Sequence, residues 1–340
     1  MKRVGVIGMG KMGIVHASIL NALPDVDLVA VTDTNKGLHR QIYSMGIQSP
    51  FYQSIEEMLV KENPDGVYIC TPTSANYGIA KLCVAKGVSI FVEKPLAIDL
   101  PNATKMLELV EGTEIKHSIG FMVAQIPTFR RAKAMLVEGA IGQLQQVEAK
   151  VYLSAVFSKQ RMWFCNKEKS GGGAIISLGS YLIFLLHWLF SPVRHVWDSN
   201  IFYTSGNEVE DGGNAKLELE SGIMATMDVS WCIHGYENML LEIRALGSEG
   251  ELTVDNSIVQ VHRSDGSVNR VHVSELPDKA SFYLGGEGYC LEDEDFVSCI
   301  GTDIEPEVTW RDGYQVQKVL DAIYRSAEAR QRVAVGIGER

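Results

Sequence analysis

The sequence predicts an α/β protein whose N-terminal domain is a doubly wound parallel sheet, and three features of its first third carry that prediction. Short apolar runs alternate with segments of helical periodicity, a glycine-rich turn follows the first run, and an aspartate follows the second. Strands and helices that alternate in this way imply parallel pairing, because right-handed crossovers lay the helices on both faces of one sheet.

Taken in order, Val4-Gly5-Val6-Ile7 is the first strand, and Met12 to Leu23 has helical spacing up to a stop at Pro24. The strand signal returns in Leu28 to Thr32, Gly66 to Cys70, Ser89 to Val92 and His117 to Gly120. Helical patterns lie between, around Gly37 to Met45, Ile55 to Lys61, Asn76 to Ala85 and Pro101 to Val110. The first turn spells Gly8-Met9-Gly10-Lys11-Met12-Gly13, a G-x-G-x-x-G pattern. That pattern serves dinucleotide binding: the glycines allow a tight turn, backbone approach to a pyrophosphate and close packing of helix on strand, with the diphosphate at the positive helix N-terminus. An acid about 20 residues further on is expected to meet the adenosine ribose. Asp33 stands there, 33 − 13 = 20 residues past Gly13, with Thr34 beside it. A carboxylate at that position repels a 2′-phosphate, so NAD is favoured over NADP, although Lys36 and Arg40 lie near.

Length and composition bound the rest. A chain of 340 residues suits two domains, and 46% hydrophobic with 21% charged residues suits two packed cores. The formal charge of −11 argues against a nucleic-acid or anionic-membrane partner, since neither polyanion gains counterion-release energy from an acidic surface. The basic start Met1-Lys2-Arg3 leads into an apolar run that breaks at Gly8 with no cleavage site, so a cytoplasmic location is expected. Ala174 to Phe190 contains Ser177, Ser180 and His187 and is too short to span a bilayer, so it reads as a buried helix. Six scattered cysteines without a C-x-x-C pair read as reduced thiols, with no metal site.

Two further loops follow strands at their carboxyl ends, where open α/β sheets bind ligands: Cys70-Thr71-Pro72-Thr73-Ser74-Ala75-Asn76 and Val92-Glu93-Lys94-Pro95-Leu96-Ala97. With the glycine turn, this order of motifs resembles the glucose-fructose oxidoreductase / inositol dehydrogenase (Gfo/Idh/MocA) family. The resemblance continues through Gly139-Ala140-Ile141-Gly142, Trp163 ahead of Gly171-Gly172-Gly173-Ala174, Glu305-Pro306-Glu307-Val308, Asp312-Gly313 and Ala322-Ile323-Tyr324-Arg325-Ser326. It implies a Rossmann domain over 1–121 and, over 122–340, a second α/β domain with an open, mostly antiparallel sheet. That sheet's face commonly builds dimers or tetramers, so a homo-oligomer is expected. Independently, Gln146 to Phe157, Ala215 to Glu220, Ile223 to Trp231, Met239 to Leu246 and Ile258 to His262 are strand-like, with Ser221-Gly222 as a hairpin turn.

Chemistry enters through the resemblance. Family members move a hydride between a sugar or cyclitol carbon and nicotinamide, and Lys94 matches the family's catalytic lysine. A lysine near a cationic ring and away from water is a tuned acid or base. The family's usual aspartate and histidine on the helix after the triple glycine are Ser177 and Tyr181 here, and a spacing of four keeps both on one helix face. Tyr181 is therefore either the proton carrier, its phenol tuned by Lys94, or a core aromatic of a chain that binds NAD without turnover. The expected cofactor contacts are Gly8, Gly10, Lys11, Met12, Gly13, Asp33, Thr34, Thr71, Pro72, Thr73, Asn76, Glu93, Lys94 and Trp163. The expected contacts to a sugar-like substrate are Lys94, Arg161, Ser177, Tyr181 and His234. Phe164 replaces an arginine frequent after that tryptophan, and His234 is a candidate for the missing histidine. His16 and His117 read as structural. Three readings stay open: an NAD(P)-dependent dehydrogenase, a dinucleotide-binding regulator, and a hydrolase or lyase that oxidises and re-reduces one carbon with NAD bound throughout.

Overall fold

The computed structural model describes residues 1–156, 163–277 and 287–336. It forms two compact units, one of Met1–Met122 with Lys279–Tyr314 and the other of Val123–Asp278 with Gln315–Arg340. The first unit thus takes in a later segment as well as the stretch up to Met122. Its anchors are specific. Trp310 Nε1 donates to the Ser118 carbonyl at 2.9 Å, the Ser118 hydroxyl donates to the Val308 carbonyl at 2.8 Å, and Lys116 pairs with Glu305 at 2.7 Å.

The first unit holds a six-stranded sheet of β1 (Lys2–Ile7), β2 (Val26–Thr32), β3 (Phe51–Tyr52), β4 (Gly66–Ile69), β5 (Ser89–Val92) and β6 (His117–Ile119). The spatial order β3-β2-β1-β4-β5-β6 is all parallel, with the reversal of order next to β1. Val4, Val6, Tyr68 and Phe91 are fully buried, and they pack with Ala17, Ile19 and Leu20 of the helix Lys11–Ala22 and with Phe296 and Ile300. Tyr68 stacks on Phe91 with ring centroids 4.6 Å apart, and Phe296 meets Tyr68 edge-on at 5.4 Å. Side chains of this size each gain about 1.5–3 kcal/mol on burial. The helix Glu287–Cys299, which supplies Phe296, is therefore an integral part of this core. β3 has two residues, too few for any period to register.

The second unit is built on a nine-stranded sheet. Its strands are β7 (Leu144–Tyr152), β8 (Val193–Phe202), β9 (Gly212–Leu219), β10 (Met224–Ser230), β11 (Leu240–Gly247), β12 (Gly250–Asp255), β13 (Ile258–Arg263), β14 (Val268–His272) and β15 (Val333–Ala334). They run in the order β14-β13-β12-β11-β7-β10-β9-β8-β15, antiparallel except where β7 lies parallel to β10. Alternation is strict on the central strands. Ala225, Met227 and Val229 of β10 and Leu241, Ile243 and Ala245 of β11 are buried, while Thr226, Asp228, Arg244 and Glu242 point to the other, polar face. That is the period-two pattern of a sheet with one face covered and one wet. Gly222, at φ +82°, makes the β9–β10 hairpin turn in the left-handed conformation that glycine adopts without strain.

The apolar stretch after the triple glycine is buried, as expected, but it is not one continuous α-helix. A π-helical turn over Ile175–Gly179 precedes the α-helix Ser180–Leu189. The i, i+4 geometry that would put Ser177 and Tyr181 on one face assumes a regular α-helix, and the wider turn alters that register.

Candidate functional site

In the first unit the three fingerprint glycines meet three different demands. Gly8 has φ +91°, and a Cβ there would stand 2.8 Å from Thr71 Cγ2 and 2.9 Å from the Cys70 carbonyl carbon. Gly13 lies so close to the first strand's end that a Cβ would come within 1.8 Å of the Gly8 carbonyl oxygen. Gly10 differs, since a Cβ there would meet no protein atom within 4 Å. Packing gives no reason for a glycine at that position, whereas approach of a ligand to the backbone does. Gly10 also caps the helix Lys11–Ala22, whose first turn carries no acidic side chain and no side-chain cap. Its amide donors and positive dipole end are left for an anion, as a pyrophosphate requires.

Asp33 is tied to that turn. One carboxylate oxygen accepts from the Met9 amide at 2.8 Å and the other from the Asn35 amide at 2.8 Å, which fixes the acid at the tip of β2 beside the glycines. Lys11 and Thr34 are exposed, Met12 is part-buried, and Lys36 and Arg40 lie exposed on the chain beyond Asp33. Across the turn, the Thr71 hydroxyl is buried without a hydrogen-bond partner. A buried unpaired hydroxyl costs about 1–3 kcal/mol, a cost that a polar ligand group in this loop would offset. Pro72 is part-buried and Thr73 buried in the same loop. The open space at Gly10, the free helix end and the orphaned Thr71 hydroxyl together fit a dinucleotide.

The Glu93-Lys94-Pro95 loop follows β5 directly and contains a cis Lys94-Pro95 bond. Asn76, buried at the start of the helix Asn76–Val84, donates to the carbonyls of Pro95 and Leu96 at 3.3 and 3.2 Å and so braces this loop. The Glu93 carboxylate meets His16 Nε2 at 3.0 Å, and His16 Nδ1 meets Asp293 at 2.8 Å. Burial pushes the Lys94 ammonium down to about 8, with the negative Glu93 pulling the other way. A lysine in that range exchanges protons near neutral pH. Burial also pushes the neighbouring Cys70 thiol up to about 12, so it stays protonated and is no nucleophile.

In the second unit the triple glycine is clamped from two sides. Glu210 Oε1 accepts from the amides of Gly173 (2.7 Å) and Ile175 (3.1 Å) and from the Tyr324 hydroxyl (2.8 Å). Side chains are excluded there, because a Cβ on Gly172 would come within 2.3 Å of the Tyr324 oxygen and one on Gly173 within 2.0 Å of the Glu210 carbonyl oxygen. The π turn and helix that follow carry Ser177, part-buried, and Tyr181, only 6% exposed. Phe184 and Trp188 stack further along at 6.5 Å. Trp163 is 40% exposed on a short 3-10 turn, and Phe164 packs against the buried Trp231 at 5.6 Å. Phe164 is thus bound to the unit's own core. His234 is exposed on the loop after β10, and Arg161 lies outside the described residues.

The fold therefore brings Gly8, Gly10, Gly13, Asp33, Thr71, Asn76, Glu93 and Lys94 to the carboxyl edge of one sheet, and carries Trp163, Ser177, Tyr181 and His234 on the other unit. Sequence reasoning missed Asp293, Glu292, Glu210 and Tyr324. The first two belong to a run, Glu292-Asp293-Glu294-Asp295, that reads as a solvated charge cluster. Only the placing of its helix against β4 and β5 buries two of the four.

Fold and site together define a dinucleotide-binding protein of two α/β units. The model of the NAD-binding Rossmann fold of the GFO/IDH/MocA oxidoreductase family matches residues 2–121, and the model of the GFO/IDH/MocA C-terminal domain matches 129–253. The chain belongs to this family of oxidoreductases. It is 26% identical over 324 residues to scyllo-inositol 2-dehydrogenase (NAD(+)) of Bacillus subtilis, covering 90% of this chain and 88% of that one. It is 23% identical to myo-inositol 2-dehydrogenase of Thermotoga maritima, covering 97% and 98%. Among solved structures, a levoglucosan dehydrogenase in complex with NADH superposes with a TM-score of 0.88 at 23% identity, covering 98% of this chain and 99% of that one.

Proposed function

We propose that the chain moves a hydride between NAD and a hydroxyl-bearing carbon of a sugar, cyclitol or related polyhydroxylated substrate, with Lys94 as the acid-base group. The observation that carries this reading is the Lys94 ammonium, held by a braced loop directly after a Rossmann strand and pushed down to about 8. Bound NAD supplies the hydride acceptor in one direction and, reduced, the donor in the other. In oxidation the substrate hydroxyl loses its proton to neutral Lys94 Nζ as the carbon loses its hydride; in reduction the ammonium returns that proton to the forming alkoxide. Asp33 receives the adenosine ribose, the N-terminal amides at Gly10 receive the pyrophosphate, and Thr71 pairs with a polar group of the cofactor. The inositol and levoglucosan dehydrogenases among the relatives support a polyhydroxylated substrate class.

The reading includes a cytoplasmic homo-oligomer, formed through the polar face of the nine-stranded sheet, where Asn214, Lys216, Thr226 and Asp228 line a concavity of about 820 Å³. Light scattering would test the oligomer. A panel of inositols, aldoses, anhydrosugars and sugar phosphates, assayed in both directions with all four nicotinamide forms, tests the activity, and turnover with at least one is expected. A second reading, a dinucleotide-gated regulator, is favoured by one feature, the burial of Tyr181 within an apolar helix. NAD binding without turnover on any substrate would move the conclusion to that reading. Substrate consumption with no net change in the cofactor would indicate the transient-redox hydrolase or lyase.

A further inference from the structure

The only histidine on the first Rossmann helix is fully buried, and each of its ring nitrogens faces an acid. Nε2 lies 3.0 Å from Glu93, the residue before Lys94, and Nδ1 lies 2.8 and 3.0 Å from the two oxygens of Asp293. The ring is walled by Tyr68, Phe91 and Tyr289 at centroid distances of 5.3, 5.1 and 6.1 Å. An imidazole with an acceptor on both sides is satisfied only when both nitrogens carry protons. A core-filling role would need neither acid. We propose that His16 is a positioning residue for Lys94: an imidazolium held between Asp293 and Glu93 that pins the Glu93 carboxylate and offsets its charge beside the reactive ammonium. This rests on the acid-base role given to Lys94 above.

The electrostatics agree with the geometry. Burial opposes the charged ring and also raises the Asp293 carboxyl, with His16 pulling that acid back down, yet Asp293 and Glu93 outweigh the burial of the ring and hold His16 well above its ordinary range. The other titratable groups facing it are Cys70 and Tyr68 from β4 and its loop, both kept protonated by burial, and Glu292 from the Asp293 helix. Burial holds Glu292 well above the usual carboxylate range, and neither of its oxygens has a hydrogen-bond partner, so it accepts no hydrogen bond from the ring in competition with Glu93. His16 therefore reaches Lys94 through Glu93, whose negative charge raises the lysine.

The test reads Lys94 directly, so that it decides the proposal even if no substrate is found. The pH midpoint of Lys94 acetylation by acetic anhydride, followed by peptide mass spectrometry, is compared between the parent and His16→Gln, with the fold checked by circular dichroism. Loss of the imidazolium leaves Glu93 uncompensated, so the Lys94 midpoint should rise by about half a pH unit or more. On any substrate that turns over, kcat should fall with cofactor affinity within a few-fold of the parent. Should His16→Gln not fold, Asp293→Asn removes the anion that keeps the ring charged and should move the midpoint in the same direction. A folded variant whose Lys94 midpoint stays within about 0.2 units of the parent overturns the proposal, whatever the turnover. A parent inert on every substrate while the midpoint still shifts would defeat the oxidoreductase reading and leave this one standing.

Discussion

Asn76 donates through Nδ2 to the backbone carbonyl of Leu96 at 3.2 Å, and this contact, with its 3.3 Å companion to Pro95, makes one piece of the loop after β4 and the loop after β5. The two loops carry Thr71 and Lys94, so the residue proposed to meet the cofactor and the residue proposed for chemistry share one brace. A reacting group misplaced by an ångström loses much of its rate, which gives the brace a functional consequence beyond stability.

Asn76→Ala removes both donors and leaves two carbonyls to find new partners in a buried setting. The substitution should destabilise the protein by about 1–3 kcal/mol. It should lower turnover several-fold more than it weakens NAD binding, because the glycine turn is untouched. Thermal unfolding and steady-state kinetics on the same preparation check both halves; a variant as stable and active as the parent would show that the brace is dispensable.

Cofactor choice turns on Asp33, held at the glycine turn by the Met9 amide. NAD(H) should bind at least several-fold more tightly than NADP(H), since a 2′-phosphate would be brought against a fixed carboxylate. Titration of the parent and of Asp33→Ser with both cofactors measures the ratio, which should collapse toward unity in the variant. Equal affinities in the parent would mean that Lys36 or Arg40, both exposed nearby, outweighs the acid.

Much of this was legible in the chain before any coordinate. Gly8, Gly10, Gly13 and Asp33 sit at fixed spacings in a continuous stretch, and local geometry is what such spacing encodes. The strands β2, β4, β5 and β6 fall within a residue or two of the apolar runs that announce them. What the sequence hid depends on contacts far along the chain: His16 meets Asp293 across 277 residues, and Glu210 meets Tyr324 across 114. Asp293 and Glu210 sit in none of the motifs, and the acids of the Glu292–Asp295 run look alike until a helix face is chosen for them. The π turn at Ile175–Gly179 was hidden for another reason, since a segment whose one polar side chain is Ser177 has no polar face from which a change of period could be read.

Lys94 sets a pH dependence whose sign follows from its role. In the proposed role neutral lysine is the base in oxidation, so kcat/KM for alcohol oxidation should rise with pH through a midpoint near 8, and carbonyl reduction should fall through the same range. Lys94→Ala should cost roughly two to four orders of magnitude in turnover, the span of a lost acid-base group, with cofactor affinity nearly intact. A variant within a few-fold of the parent would remove Lys94 from the chemistry.

Glu292 predicts an alkaline weakness. Neither of its oxygens has a hydrogen-bond partner, and burial raises its pKa well above the usual range. In the unfolded chain the same group ionises near its ordinary value, so above that value the folded state binds more protons than the unfolded state, and stability falls as pH rises. The thermal midpoint should therefore decline from about pH 5 toward pH 8. Glu292→Gln, which removes the titration and keeps the shape, should flatten that decline and raise the midpoint at pH 8. A steeper decline in the variant would reverse the assignment.

Tyr181 separates the enzyme from the regulator. It stands where family members usually carry histidine, on a helix entered through a π turn and anchored at its start by Glu210 and Tyr324. Tyr181→Phe keeps the ring, so its packing and most of the protein's stability should survive, the cost being no more than about 1–3 kcal/mol if the hydroxyl is bonded. If the phenol carries a proton, single-turnover hydride transfer should drop at least ~100-fold, a loss that packing cannot produce. If it only fills the core, transfer should be unchanged, and His234→Ala then asks whether the exposed loop histidine supplies the proton instead. Glu210→Gln provides the control. It loosens the clamp on the triple glycine without touching the phenol, so any change it makes should appear with a loss of thermal stability, whereas a chemical role for Tyr181 predicts a rate loss with stability retained.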